Sequence, residues 1–492
     1  MERRAFLGNA AIAALGATGF PSITAVAAAS KNQLIGLQVG AVSFYDEGVD
    51  RVLDEIQNDA GVNTLFIATF SYGRGIAGRQ VPGQPLPDHG KQSYDTGEFR
   101  GGCYTRVNAS YFSETPFKNF RAPELGDFDV LDAVLPAAQK RGLKTICWFE
   151  DVFAKDLPGI DALQKIEFSG QNASTLCFNN PHYRAWLLAM VENWVRTFPI
   201  DGIMWGSERQ GAFGNMLGSN YNRAGLDHAT CFCSYCIEKA KTRGIDPERA
   251  RKGFAALDAF VQAGQAAQRP TDGFYVTFWR LLLTYPELLA WETLWTDSLR
   301  ETYAAFYARV KELNPKLQVG WHIWHNNSFS PIYRAEQDLA RIAPVSDFLK
   351  IVMYHNCGGE RFANYVKVAG SSLYADIPAQ QLLDFHYRVL NYDGLPFAEI
   401  PAHGLSSDYV YRETKRARAG LEGSRTLLLP GIDIDIPTAP QSSKCSLEGT
   451  AAAVEAAFKG GADGVILSRK YSEMKLTNLK GARQALRKIG QV

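Results

Sequence analysis

The chain has 492 residues, 46% of them hydrophobic and 21% charged, a globular composition with ample core material that excludes a disordered or fibrous protein. Its 52 basic and 51 acidic residues nearly cancel, which argues against a basic nucleic-acid footprint. Aromatics make up 12%, with nine Trp, which suits a flat ligand such as a sugar and equally suits a large core.

The first segment reads as an address. Arg3 and Arg4 precede a modest apolar stretch from Ala10 to Phe20 and an Ala-rich run that ends at Ser30. Twin arginines, a weak apolar region and small residues at a cleavage site resemble a twin-arginine export signal over residues 1–29. The expected mature protein is periplasmic or secreted. It should hold no membrane span, because no later apolar run approaches the roughly 20 residues a span needs.

Eight short apolar or β-branched runs then recur along the chain, at 34–42, 64–70, 144–150, 201–208, 318–324, 347–354, 426–435 and 464–469. Several are apolar throughout, as expected of a parallel sheet covered by helices. Helical periodicity fills 49–58, 129–141, 181–197, 289–313, 408–421, 447–459 and 476–489. Strands alternating with helices in this number predict an α/β fold, a (β/α)8 TIM barrel with long βα loops. Residues 30–492 read as one catalytic barrel. Because a minimal barrel needs about 250 residues, the surplus is assigned to insertions at 71–143, 209–317 and 355–425. All three leave the C-terminal ends of strands, where barrel enzymes keep their active sites.

Those strand ends carry polar and aromatic groups. The third strand closes on Trp148, Glu150 and Asp151, and the fourth on Trp205 and Glu208. The fifth closes on His322, Trp324 and His325, and the sixth on Tyr354 and His355. Asp433 and Asp435 end the seventh, Arg469 and Lys470 the eighth. Buried polar groups are expensive, so a barrel mouth this polar reads as a site. Carboxylates on different strands, with Trp nearby, suit glycosidic bond cleavage: one carboxylic acid protonates the leaving oxygen while the other attacks the sugar or activates water. Glu208 is the expected acid, beside Trp205, with Asp433 or Asp435 as its partner across the mouth and Glu150 in reserve. The other residues named are expected to contact a carbohydrate. Arg469 or Lys470 would meet an acidic substituent, or else pair with Asp433 or Glu473.

Cysteines add a sharper signal. Cys231, Cys233 and Cys236 form a C-x-C-x-x-C cluster, which favours tetrahedral zinc with one further ligand, or else disulfides. Cys177-Phe-Asn-Asn-Pro181-His-Tyr183-Arg184, then a helix, then Glu208 and this cluster together resemble the catalytic barrel of glycoside hydrolase family 42, the β-galactosidases. That resemblance covers 176–236. It implies a structural zinc on Cys177, Cys231, Cys233 and Cys236, and Glu208 as acid/base. It departs from the family at Ser207, where the family has Asn, and at the seventh strand, where the family has a Glu nucleophile and this chain offers Asp433 and Asp435.

Two other readings stay open. A metal-dependent sugar isomerase, epimerase or lyase would ring a divalent cation with Glu150, Glu208, His322 or His325, and Asp433. A non-catalytic glycan-binding barrel would use the same mouth without turnover. No glycine-rich phosphate loop follows the first strand, so no nucleotide or other organic cofactor is expected.

Overall fold

The computed structural model describes residues 33–72, 78–95, 100–117, 121–151, 157–218 and 229–491. The expected export signal lies outside the described residues. Eight parallel strands close a ring: β1 (Leu34–Val39), β2 (Thr64–Tyr72), β3 (Lys144–Glu150), β4 (Gly202–Gly206), β5 (Gln318–Ile323), β6 (Phe348–Val352), β7 (Leu427–Asp433) and β8 (Gly464–Ser468). Each pairs with its sequence neighbours, and β1 meets β8 in the register Leu34↔Gly464, which closes the (β/α)8 barrel. A short strand, Gly101–Cys103, adds antiparallel to the end of β2.

Side chains on a strand alternate between faces, and here that alternation divides the core in two. Phe66, Ile146, Trp148, Met204, Phe348, Leu429 and Ile466 fill the barrel interior. Their neighbours Ile203, Trp205, Val319, Trp321 and Ile351 point outward and pack under the surrounding helices. Local capping fixes where those helices begin. Asp129 accepts N–H groups of Leu131 and Asp132 at the start of Val130–Lys140, and Asn180 accepts from His182 at the start of Pro181–Thr197. Each such cap contributes about 1 kcal/mol.

Among the described residues, the connections after β4 and β6 hold further helices beside those expected at 289–313 and 408–421. Ser234–Thr242, Pro247–Gln265, Phe274–Thr284 and Glu287–Leu313 follow β4 and bury their own apolar cluster around Phe254, Leu257, Phe278 and Trp291. Asn356–Ala369, Ala379–Leu390 and Ser407–Gly420 follow β6. Asn356–Ala369 escapes sequence reading because Gly358 and Gly359 lower its helix propensity. Gly359 is needed there, since a Cβ would come within 2.3 Å of the Ile400 carbonyl oxygen. Among the described residues, no helix is long and apolar enough to cross a membrane.

Candidate active site

At the C-terminal end of the barrel lies a cavity of about 350 Å³. Strand alternation decides who reaches it. On β3, Ile146, Trp148 and Glu150 face inward; Glu150 is the last of them and lines the cavity. Past β4, Glu208 shares the inward face of Met204 and Gly206, and past β5 Trp324 follows His322. Gln38, His325, Tyr354 and Arg469 complete the part of the wall that barrel strands supply. The helix Asn356–Ala369 adds Glu360, Arg361 and Asn364.

Glu150, Glu208 and His322 converge, each offering one atom within 4.8 Å of the other two. His322 sits between the carboxylates, with Nε2 3.1 Å from Glu208 Oε1 and Nδ1 3.6 Å from Glu150 Oε1. The Trp148 indole donates to Glu150 Oε1 at 2.8 Å from within the barrel. Beneath them Lys350 is fully buried on β6, its stem beside Gly431 and its Nζ donating to Gln38 Oε1.

The two carboxyl groups are driven apart in acidity. Burial, then the negative charge of Glu208, pushes Glu150 up to about 8. Burial also works against the charged form of Glu208, but His322, Lys350 and Arg361 outweigh it and hold Glu208 below the usual carboxylate value. Near neutral pH Glu150 therefore carries a proton and Glu208 a charge. Lys350 is brought down to about 7 by burial, against the pull of both carboxylates.

Three features place this pair. Gly206 leaves room for Glu150, since a Cβ there would lie 3.0 Å from Glu150 Cγ. Glu208 is held at φ 37°, a left-handed conformation that costs a non-glycine residue roughly 1–3 kcal/mol. Asp151 and Arg209, the residues after Glu150 and Glu208, form a buried ion pair at 2.8 Å. Asp151 also accepts from Tyr183 at 2.6 Å and Trp205 Nε1 at 2.9 Å. The pair ties the ends of β3 and β4 together on the outer side of the barrel.

Several sequence expectations are corrected by this geometry. Trp205 does not lie beside Glu208 over the mouth: its odd position turns it outward, where it stacks at 3° on Phe306. Trp148 is a buried support for Glu150, and Asp151 is bound to Arg209; neither lines the cavity. Asp433 does not face Glu208. Its carboxylate accepts the backbone N–H groups of His355 (2.8 Å), Asn356 (3.0 Å) and Cys357 (2.9 Å), and lies 2.8 Å from His355 Nδ1. Burial alone would raise its pKa, but His355 and these bonds bring it below the usual value. His355 is thereby occupied too. Asp435 accepts from Lys475 N and Asn478 Nδ2, away from the cavity. Lys470 is buried and donates to the carbonyls of Gly78 and Arg79. Arg469 reaches the cavity while its Nε pairs with Glu473 at 3.1 Å.

Sequence reading missed Gln38, Lys350, Glu360, Arg361 and Asn364. Gln38 and Lys350 had a signal: each is a lone polar residue in an apolar strand. The other three lie on helix Asn356–Ala369, whose propensity Gly358 and Gly359 mask.

The four cysteines of the expected metal site do meet. All four sulfurs lie within 4.8 Å of one another, with Cys177 Sγ 3.5 Å from Cys236 and 3.6 Å from Cys233. A disulfide needs about 2.05 Å, whereas four thiolates about 2.3 Å from a central zinc stand roughly 3.8 Å apart. The donor set fits that metal. The Ile166 N–H and the Asn179 amide point at Cys231 and Cys236 sulfurs, as partners of thiolate ligands would.

No model of a known protein family matches the chain, and no curated protein matches its sequence. Its fold is similar to that of solved glycoside hydrolases. The glycoside hydrolase domain of PgaB (BpsB) from Bordetella bronchiseptica aligns with a TM-score of 0.51 at 12% identity, over 93% of this chain and 99% of that one. A beta-galactosidase from the haloarchaeon Halorubrum lacusprofundi aligns with a TM-score of 0.50 at 14% identity, over 93% of this chain. The present chain spans 58% of that enzyme's length. At these identities the likeness is one of fold. It shows the barrel fold and does not single out family 42.

Proposed function

We propose that the protein is an exported glycoside hydrolase in which Glu150 and Glu208 are the catalytic pair. The observation that carries this is the convergence of Glu150 and Glu208 in one cavity at the C-terminal mouth, where burial raises the pKa of Glu150 and His322 lowers that of Glu208 against its own burial. Environments that separate two carboxyl pKa values assign acid and base roles. Glu150, protonated, gives its proton to the leaving oxygen. Glu208, ionised, attacks the anomeric carbon. A covalent route uses carboxyl groups about 5–5.5 Å apart, while inversion needs about 6.5–9.5 Å for a water. The close approach of the two side chains favours the covalent route, and hence retention. Trp324 and Tyr354 supply apolar faces for a sugar ring, and Arg361 and Arg469 supply donors for hydroxyl or acidic substituents.

In this reading the four cysteines hold a structural zinc that pins the start of helix Ser234–Thr242 to the segment before Pro181–Thr197. The zinc takes no part in bond cleavage. Export follows from Arg3 and Arg4, and replacing both by Lys should leave the protein in the cytoplasm.

Turnover of the mature protein on an oligosaccharide panel, followed by anomer-resolved NMR, tests the reading. Retention of configuration in the released sugar is expected. Turnover should persist when weak chelators clear loosely bound cations. Activity that needs an added divalent cation would instead favour a metal held by Glu150, Glu208 and His322. Absence of cleavage on every glycan would leave a binding barrel.

A further inference from the structure

A second cavity, of about 630 Å³, lies outside the barrel mouth between the helices Phe274–Thr284 and Glu287–Leu313 and the segment around Pro331–Glu336. Its rim is aromatic and open: Tyr275 is 53% exposed and Trp279 50%. With Leu289, 52% exposed, they form a contiguous apolar rim, and such patches mark interaction sites.

Its floor is polar and incompletely paired. Glu292, only 7% exposed, accepts the Phe213 N–H at Oε2 (3.0 Å) while its Oε1 has no partner. Both carboxyl oxygens of Glu336 are buried and meet no partner but the neighbouring Glu292 carboxyl group, while Nε of Arg300 is buried without a partner. Burial and then the neighbouring Glu292 push Glu336 well above the usual carboxylate value. A proton held between the two carboxyl groups would satisfy two of these three oxygens and leave the third open. Unpaired buried groups of this kind are costly, so the site favours whatever pairs them.

The occupant must therefore meet acceptors and a donor together, beneath flat apolar faces. A simple cation would meet Arg300 and Arg341, which also line the cavity. An anion would meet Glu292 and Glu336. Sugar hydroxyls both donate and accept, and the C–H faces of a pyranose lie flat on Trp and Tyr rings.

We infer that this cavity is a second carbohydrate-binding site, in which Trp279 and Tyr275 stack a sugar ring over Glu292, Glu336 and Arg300. The choice of carbohydrate rests on the glycosidase reading of the barrel mouth. The site would hold the polysaccharide near the enzyme without touching the bond being cleaved.

Affinity electrophoresis tests it, with the mature protein run through gels cast with mixed-linkage β-glucan, arabinoxylan or galactan. The Glu208→Gln background keeps the gel polysaccharide intact. Retardation of Glu208→Gln by at least one of these is expected, with the apparent Kd raised about tenfold or more in the Glu208→Gln/Trp279→Ala double variant, a loss of about 1.4 kcal/mol. Trp279→Ala alone should turn over short oligosaccharides at the wild-type rate. Tyr275→Ala should repeat the binding loss, which guards against a folding defect peculiar to one variant. Equal retardation with and without Trp279 overturns the inference, and so does free migration in all three gels. If oligosaccharides are still cleaved in that last case, the glycosidase reading stands alone; if they are not, both fall. A concentration-dependent dimer that Trp279→Ala dissolves, with retardation unchanged, would make this face a contact between copies and also overturn the site.

Discussion

The two halves of the barrel mouth carry similar residue types and put them to different use. At the ends of β3, β4 and β5, Glu150, Glu208 and His322 face a cavity and one another. At the ends of β6, β7 and β8, His355, Asp433 and Lys470 are just as polar, yet the protein itself consumes them: Asp433 takes three backbone N–H groups and Lys470 two carbonyls. A polar strand end is thus a candidate for chemistry only when its hydrogen-bonding capacity is left open. Residue type alone does not separate the two cases.

Substitutions should break the contrast in opposite ways. A large structural loss is expected at the clamp behind the open half. Asp151→Ala leaves Arg209 buried and unpaired, which typically costs about 3–5 kcal/mol. Chemical denaturation should show this loss, along with lowered activity, because the clamp ties the two residues that follow Glu150 and Glu208. In the closed half, Asp433→Ala strips partners from buried N–H groups at about 1–3 kcal/mol for each group left unsatisfied. Its melting temperature should fall clearly, while the fraction that remains folded keeps kcat within a few-fold of wild type. A loss of kcat by orders of magnitude in a well-folded Asp433→Asn protein would move the chemistry to the closed half.

The pH dependence sharpens the same contrast. Glu150 must hold its proton and Glu208 must lose its own, so kcat/KM should fall on the alkaline side near pH 8 and on the acid side below the usual carboxylate range. Stability moves with Glu150 as well. Its folded pKa is raised, so the native state holds a proton that the unfolded chain gives up. That contribution is fully present below the ordinary Glu value and is lost as pH rises through about 8. Glu150→Gln should therefore gain melting temperature over wild type at pH 9 and show no gain at pH 4. The smallest effect is expected at Gly206→Ala, whose methyl would press on Glu150 Cγ at 3.0 Å. A loss of kcat/KM with about 1 kcal/mol or less of stability would show that this glycine serves the carboxylate rather than the fold.

The barrel was legible in the sequence because its strands are short, apolar and separated by periodic helices, and each of the eight runs became a strand. Pro181–Thr197 and Leu447–Lys459 begin and end where their periodicity does. The cysteine cluster was legible because thiols this close in sequence cannot scatter far. The carboxyl group that meets Glu208, Glu150, is legible only as a reserve behind Asp433 and Asp435. Asp433 ends an inward-facing strand like a catalytic residue, and only the turn of the following backbone shows that its carboxylate is taken. Trp205 shows the opposite limit: one residue of strand parity moves a side chain from the mouth to the helix layer. Arg361 was hidden because Gly358-Gly359 masks its helix.

The central claim is that Glu150 and Glu208, rather than Asp433, perform the cleavage. Its most direct test is kcat/KM of Glu150→Gln, Glu208→Gln and Asp433→Asn, measured side by side on one glycan that the wild type cleaves, with melting temperatures in parallel. We expect both glutamine variants to fold normally and lose at least about 10²–10⁴ in rate, the share general acid–base catalysis commonly contributes, while Asp433→Asn keeps its rate and loses stability. A Glu150→Gln protein that cleaves the glycan at near wild-type rate would contradict the account.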